Sequence, residues 1–274
     1  NLSIRESLVI QQGCNHRCTF CIIPFGRGNN RSFDPFYLID EVERVVENGV
    51  KEIVLTGVDI SDYGSDFEHR YSMSNLILDI LDKTKLQRLR LSSIDCVEID
   101  EQFDEVLKDQ RVMPHLHLSI QSGDDMILKR MKRRHNSKDV FEFVEHCKKI
   151  REDVSFGADI IAGFPTETDE MFDNTYRLLK ENEISHLHIF PFSPKNNTPA
   201  SRMPQVSKLI IKKRAKNLRE LGELILKKVK SKLFLPREVL IEELNLGLAV
   251  GYDQNYIKHK VPLVGVPVGE IVRV

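Results

Sequence analysis

Gly13-Cys14-Asn15-His16-Arg17-Cys18-Thr19-Phe20-Cys21 places three cysteines within eight residues, spaced by three residues and then two. The run follows a strand-like stretch, Ser7–Gln12, and continues as Ile22-Ile23-Pro24-Phe25-Gly26-Arg27-Gly28. In a parallel sheet or barrel, the loop after a strand opens at the carboxyl end, where ligands bind. Three thiolates are one short of the four that close a structural zinc site. On a cubane [4Fe–4S] cluster they leave one iron without a protein ligand, open to a small molecule. Soft thiolates suit such a cluster. The alternative is zinc with His16 as fourth ligand. One short loop would then have to wrap all four ligands, whereas zinc sites usually use two separated pairs.

Outward from this loop the pattern alternates strand and helix to about residue 190. The strand candidates are Ser7–Gln12, Glu52–Thr56, Arg88–Ile94, His115–Gln121, Phe156–Ile161 and His186–Pro191. Asp34-Pro35 predicts a helix start and Gly49 its stop. Asp100 is placed to cap a helix from Glu101, Ser137 one over Lys138–Arg151, and Thr168 one over Asp169–Asn182. Six strand–helix units predict an α/β fold, a partial (β/α)6 TIM-like barrel; a flat doubly wound sheet is the competing topology. Alternation puts His115, His117, Ser119 and Gln121 on one strand face, Gly157, Asp159, Ile161 and Gly163 on another, and His186, His188, Phe190 and Phe192 on a third. Polar and aromatic groups at these positions point to a lined cavity.

After Pro204 a basic amphipathic helix is expected over Val206–Leu233, with Leu209, Ile210, Leu218, Leu221, Ile225 and Val229 as its stripe. Short strand-like runs follow: Val239–Glu243, Tyr256–Val261 and Gly269–Val274. The expected division is a barrel core at 1–204, the basic helix at 205–234 and an incomplete small β module at 235–274. The chain has 274 residues and a net charge of −1. It is not a basic protein overall, so any nucleic-acid contact must come from local patches such as Lys129–Arg134 and the long helix. Five cysteines, two of them isolated (Cys96 and Cys147), do not form a secreted disulfide framework. No apolar run reaches the ~18 residues of a membrane span, and a reducing, cytoplasmic setting is expected. The first residue is Asn1, and an upstream segment is expected to have been removed.

The cysteine loop, with Phe20 just before its last cysteine, resembles the C-x3-C-x2-C signature of the radical S-adenosylmethionine (SAM) superfamily. That resemblance implies a [4Fe–4S] cluster on Cys14, Cys18 and Cys21, whose bare iron chelates SAM and whose electron releases a 5′-deoxyadenosyl radical. Four further runs resemble the methylthiotransferases: Leu55-Thr56-Gly57-Val58-Asp59, Leu118-Ser119-Ile120-Gln121-Ser122-Gly123, Met131-Lys132-Arg133, and Asp159-Ile160-Ile161-Ala162-Gly163-Phe164-Pro165-Thr166-Glu167-Thr168. Leu89–Asp95 and Met113–Ser119 are most similar to the bacterial tRNA enzymes acting on N6-threonylcarbamoyladenosine. Gly251–Lys258 resembles the start of the RNA-binding TRAM module.

The resemblance implies a transferase that adds a methylthio group to C2 of that base at position 37, beside the anticodon. Its partners would be the tRNA anticodon stem-loop and a reducing electron-donor protein, with no membrane. The family alternatives are isopentenyladenosine in tRNA or a ribosomal protein Asp; a non-catalytic zinc RNA-binding module is the alternative of another class. Phe20, Gly57, Asp59, Ser119, Gln121, Arg133, Asp159 and Phe192 are the expected cofactor-binding residues. Arg133 would pair with the SAM carboxylate; Phe192 would stand near the adenine. No residue is assigned a catalytic role beyond cluster and SAM. Two departures stand out. Lys195-Asn196-Asn197-Thr198-Pro199-Ala200 replaces the Arg-x-Gly-Thr-x-Ala of relatives, with Asn197 able to take a left-handed backbone in place of Gly. The chain also lacks a second cysteine trio, so the family's second [4Fe–4S] cluster would belong to an N-terminal domain outside this sequence.

Overall fold

The computed structural model describes residues 4–233, 236–245, 247–262 and 265–274; the remaining positions, which fall within the expected segments 1–204, 205–234 and 235–274, lie outside the described residues. The first seven strands are β1 (Arg5–Gln12), the two-residue β2 (Arg31–Ser32), β3 (Glu52–Gly57), β4 (Arg88–Leu91), β5 (His115–Gln121), β6 (Ser155–Ala162) and β7 (Ile184–Pro191). They form two sheets, ordered β2-β1-β3-β4 and β5-β6-β7. Parallel bridges Leu89–Val112 and Ile94–Leu118 join β4 to β5. Apart from β2, which pairs antiparallel at one edge, the strands therefore follow one another in parallel as the six-stranded wall of a partial barrel.

The helices are α1 (Ile23–Arg27), α2 (Pro35–Glu47), α3 (Met73–Lys83), α4 (Phe103–Lys108), α5 (Asp125–Met131), α6 (Ser137–Ile150), α7 (Asp169–Glu181) and α8 (Lys208–Lys232). Leu38 and Val42 of α2, Leu76, Ile77 and Ile80 of α3, and Val140, Val144 and Cys147 of α6 are buried in one core with the strands' outer faces. Each fully buried aliphatic side chain contributes about 1.5–3 kcal/mol. Among the described residues no helix is long and apolar enough to cross a membrane.

Several expected boundaries move for local reasons. Asp34 caps α2 as anticipated, accepting from Tyr37 N, and Thr168 caps α7. The cap of α6 is Asn136, not Ser137: Asn136 and Asp139 form a reciprocal capping box that Ser137 is one residue too late to make. Asp100 does not begin a helix at Glu101. Its carboxylate accepts from Gln102 N at 3.0 Å, forming a turn ahead of α4 at Phe103. Strand β4 stops at Leu91 instead of Ile94: Ser92 N still donates to Leu55 O at 2.9 Å, Ser92 and Ser93 line a cavity, and pairing on the other side resumes at the Ile94–Leu118 bridge.

The inward stripe of α8 is Ile211, Ala215, Leu218, Leu221, Ile225 and Val229, whereas Leu209 is 83% exposed and Ile210 also faces out. Continuing the three- and four-residue spacing back from Leu218 gives 214/215 and 211, which the apolar character of Leu209 and Ile210 masked. Arg214 likewise lies inside, donating to Glu167 Oε1 and Asp169 Oδ1 at 2.7 Å each, and is not part of the basic face.

The last four strands, β8 (Glu238–Asn245), β9 (Leu248–Tyr252), β10 (Lys258–Val261) and β11 (Ile271–Arg273), make an antiparallel sheet ordered β10-β9-β8-β11. β9 was not anticipated, and β10 starts at Lys258, not Tyr256. Asp253 Oδ1 accepts from Asn255 N and Ile257 N, folding the intervening residues into a turn with Tyr256 at φ +63°. That turn enters the amino-terminal end of the barrel. Arg88 and Arg90 donate to Asp253 O at 3.1 and 2.7 Å, and Asn255 Nδ2 donates to Pro114 O and Asp153 O. Beneath them Glu52, fully buried, pairs with Arg5, with Arg88 Nε at 2.8 Å and with Arg90 Nε at 2.9 Å. The stretch that resembles an RNA-binding module thus plugs the barrel floor.

Candidate cofactor cavity at the barrel mouth

The cysteine loop leaves β1 through Gly13, whose φ of +73° and 1.9 Å spacing from an added Cβ to Asn29 O leave room for no side chain. Cys14 N donates to Gly28 O at 3.1 Å and Cys21 N to Cys18 O at 3.0 Å. Thr19 anchors the far side, with its N donating to Met131 O and its Oγ1 to Arg130 O, at the end of α5. Gln11, also fully buried, ties this loop to β3. Its Oε1 accepts from Val58 N at 3.0 Å and Asp59 N at 2.9 Å, and its Nε2 donates to Gly13 O at 2.7 Å and Asn30 Oδ1. A Cβ at Gly57 would stand 2.8 Å from Gln11 O. Gln11 escaped the sequence reading because a single glutamine at a strand end carries no pattern.

The loop opens onto a cavity of about 390 Å3 at the carboxyl ends of the strands. Cys14, Cys18 and Cys21 line it together with Phe20, Gly57, Asp59, Ser119, Gln121, Arg133 and Asp159. Phe192 does not. It packs edge-on against Phe164, 5.6 Å between ring centroids, in an apolar cluster with Ile127, Met131 and Ile161 behind the wall. β7 ends at Pro191, and Phe192 N still donates to Ala162 O at 2.9 Å. His16, Ser92, Ser93 and Asp95 also line the cavity, beyond the residues expected from sequence.

Arg133 is neither a solvated charge nor poised with a free guanidinium. Its Nη2 lies 2.7 Å from both Asp95 Oδ2 and Ser119 O, and its Nη1 lies 3.8 Å from Cys18 Sγ. Burial alone would raise the Asp95 carboxyl, but the neighbouring His135 ring, 3.6 Å away, and the Arg133 charge outweigh it and hold the group at about 2. Arg134 pairs with Glu98 and Arg130 with Thr166, so much of the Lys129–Arg134 run is engaged within the fold. Asn197 adopts φ +68°, as its left-handed tolerance predicts.

Burial pushes the Cys14 thiol up to about 12 and raises Cys21 as well, which favours the neutral thiol where no cation is near. A coordinating metal supplies that charge and deprotonates the thiol outright. Around the loop, the ligand atoms within 4.8 Å of one another among the described residues are those of Cys14, His16 and Asp59, not the three sulfurs together. Three soft sulfurs on one cavity wall are the donor type that iron–sulfur clusters select. The donor set therefore fits a [4Fe–4S] cluster on Cys14, Cys18 and Cys21, facing a space sized for a small-molecule ligand.

A partial (β/α)6 barrel with a thiol triad at its mouth defines a class of cluster-bearing barrel proteins. Residues 8–179 match the radical SAM superfamily, and the chain belongs to it. Members of this superfamily use a [4Fe–4S] cluster and SAM. The chain is 48% identical over 263 residues to the threonylcarbamoyladenosine tRNA methylthiotransferase MtaB of Rickettsia prowazekii, covering 93% of this chain and 61% of that protein. It is 36% identical over 283 residues to the tRNA-2-methylthio-N(6)-dimethylallyladenosine synthase of Bacillus subtilis, covering 100% of this chain and 55% of that one. The chain thus spans a little over half the length of these curated relatives. Among solved structures, the radical SAM methyltransferase TsrM of Kitasatospora setae, determined with cobalamin and a [4Fe–4S] cluster bound, superposes with a TM-score of 0.59 at 17% identity, over 72% of this chain and 38% of that one. That likeness establishes the barrel fold.

Proposed function

We propose that this chain is the radical SAM portion of a tRNA methylthiotransferase that modifies C2 of N6-threonylcarbamoyladenosine at position 37, next to the anticodon. The observation that carries the reading is one cavity holding all three cysteines beside the strand-end residues of the methylthiotransferase-like runs. The choice of base rests on the 48% identity to a relative of that specificity, against 36% to the dimethylallyladenosine enzyme. The superfamily match weighs against the zinc-module alternative.

When bound, the cluster supplies the electron that cleaves SAM and yields the 5′-deoxyadenosyl radical. The chain's own residues orient and shield. The Gly57–Asp59 strand end, held by Gln11, offers backbone to the SAM amino group. Ser119 and Gln121 present hydrogen-bonding groups from β5. Arg133 acts mainly by fixing Asp95 and the Ser119 carbonyl and by placing positive charge beside Cys18. Phe20, against Phe164, closes the apolar side and excludes water. Reaching C2 of the base requires it to leave its stack. Exposed lysines of α8 such as Lys212 and Lys216 contribute phosphate contacts. The reading would need an electron from a reducing protein and sulfur from a source other than the Cys14, Cys18 and Cys21 site.

Nucleoside analysis of tRNA from cells lacking the full-length gene tests the reading. Loss of 2-methylthio-threonylcarbamoyladenosine is expected. Unchanged levels of that nucleoside, with loss of the dimethylallyl counterpart, would transfer the proposal to the other base.

A further inference from the structure

Below the cavity, three side chains on adjacent strands converge on one point. Asp159 of β6 projects between His117 of β5 and His188 of β7, with His117 Nε2 at 3.1 Å and His188 Nδ1 at 3.3 Å from the same carboxylate oxygen. All three ligand atoms lie within 4.8 Å of one another. Strand register builds the cluster: His117 pairs with Gly157, two residues before Asp159, and Asp159 pairs directly with His188. Glycine at 157 is what admits the His117 ring, because an added Cβ would lie 2.6 Å from its Nδ1.

We infer that His117, Asp159 and His188 form a second metal site, separate from the cysteine loop, that takes a divalent first-row transition ion such as zinc. Two nitrogens and one carboxylate oxygen are the ligand types such an ion selects over magnesium or calcium. Ligands about 2.1 Å from one tetrahedral ion stand roughly 3.4 Å apart, so the observed spacings accept an ion with little movement. The carboxylate is already oriented from behind, since Ser93 Oγ donates to its other oxygen at 3.0 Å. Such outer support is usual for ligating carboxylates. Access exists as well: the His188 side chain is 66% exposed, whereas His117 and Asp159 are mostly enclosed. Three protein ligands leave a coordination position vacant, and Asp159 shares the wall of the cysteine cavity. The ion would therefore offer that position to an oxygen of whatever substrate enters. The inference stands on these residues alone and does not depend on the methylthiotransferase reading.

The softer thiolates would capture added zinc, so the test uses anaerobically reconstituted, cluster-loaded protein. Zinc ions are added in equilibrium dialysis, and iron and zinc are counted in the same sample. One zinc per chain with iron unchanged is expected. His188→Ala, a substitution at an exposed position, should abolish that uptake, and Ser93→Ala should weaken it about 10-fold. His146→Ala, at the surface pair with Asp104, should leave it intact. No uptake by the wild type, uptake undiminished in His188→Ala, or uptake only at the expense of iron would each overturn the inference. Circular dichroism melts matching the wild type establish that loss in a variant reports ligation and not unfolding.

Discussion

At the residue scale, the proposed cluster site rests on three soft thiols at one cavity wall, and Gln11 holds the loop that carries them. Cys18→Ala is expected to lower iron from about four per chain to a small fraction and to abolish 5′-deoxyadenosine formation, measured by metal analysis and chromatography after anaerobic reconstitution. Gln11→Ala strands half-buried donors at Val58 and Asp59 and a buried acceptor at Gly13. It should cost about 3 kcal/mol, read as a lower urea midpoint, and should weaken SAM binding although Gln11 is not among the cavity-lining residues. The cysteines were legible because three thiols at that spacing have few other uses. Arg133 was legible as a residue but not as a contact: the Asp95 that engages it lies 38 positions away.

At the element scale, α8 separates apolar composition from burial. Ile225 packs in the core, while Leu209 stands in solvent. Ile225→Ala should destabilise by about 2–5 kcal/mol, and Leu209→Ala should fall within about 0.5 kcal/mol of the wild type, both by chemical denaturation. Equal losses would mean that the helix start packs differently from the arrangement described. Helix starts at Asp34 and Thr168 were legible because a cap is a local hydrogen bond. The early end of β4 was not, because no local pattern marks where its pairing with β3 ends.

At the scale of the whole molecule, the floor of the barrel decides stability and its pH dependence. Glu52→Gln withdraws the buried carboxylate that pairs with Arg5, Arg88 and Arg90. Breaking a buried ion cluster from one side should cost about 3–5 kcal/mol and should loosen the β8–β11 sheet first, seen as faster amide exchange at Val239 and Ile241. Burial holds the His115 imidazole well below its ordinary value and His186 down to about 4. Unfolded imidazoles take protons near 6.5. Their contribution is therefore complete above pH 6.5 and is lost as pH falls toward 4. His188 runs the other way: Asp159 raises it, so its smaller contribution is present at low pH and is lost as pH rises through its folded value. Urea midpoints should fall between pH 6.5 and 4.5, and a flat profile there would contradict the buried-imidazole account.

The sequence by itself determined the thiol triad, the strand–helix rhythm and the helix caps at Asp34 and Thr168, because each depends on neighbours within a few residues. Which polar side chains share a cavity, that Phe192 sits behind the wall, and that residues 253–256 close the floor were decided only by tertiary structure. Those facts depend on strand register and on the docking of segments more than 100 residues apart, such as Asn255 on Pro114, and no local pattern carries that information.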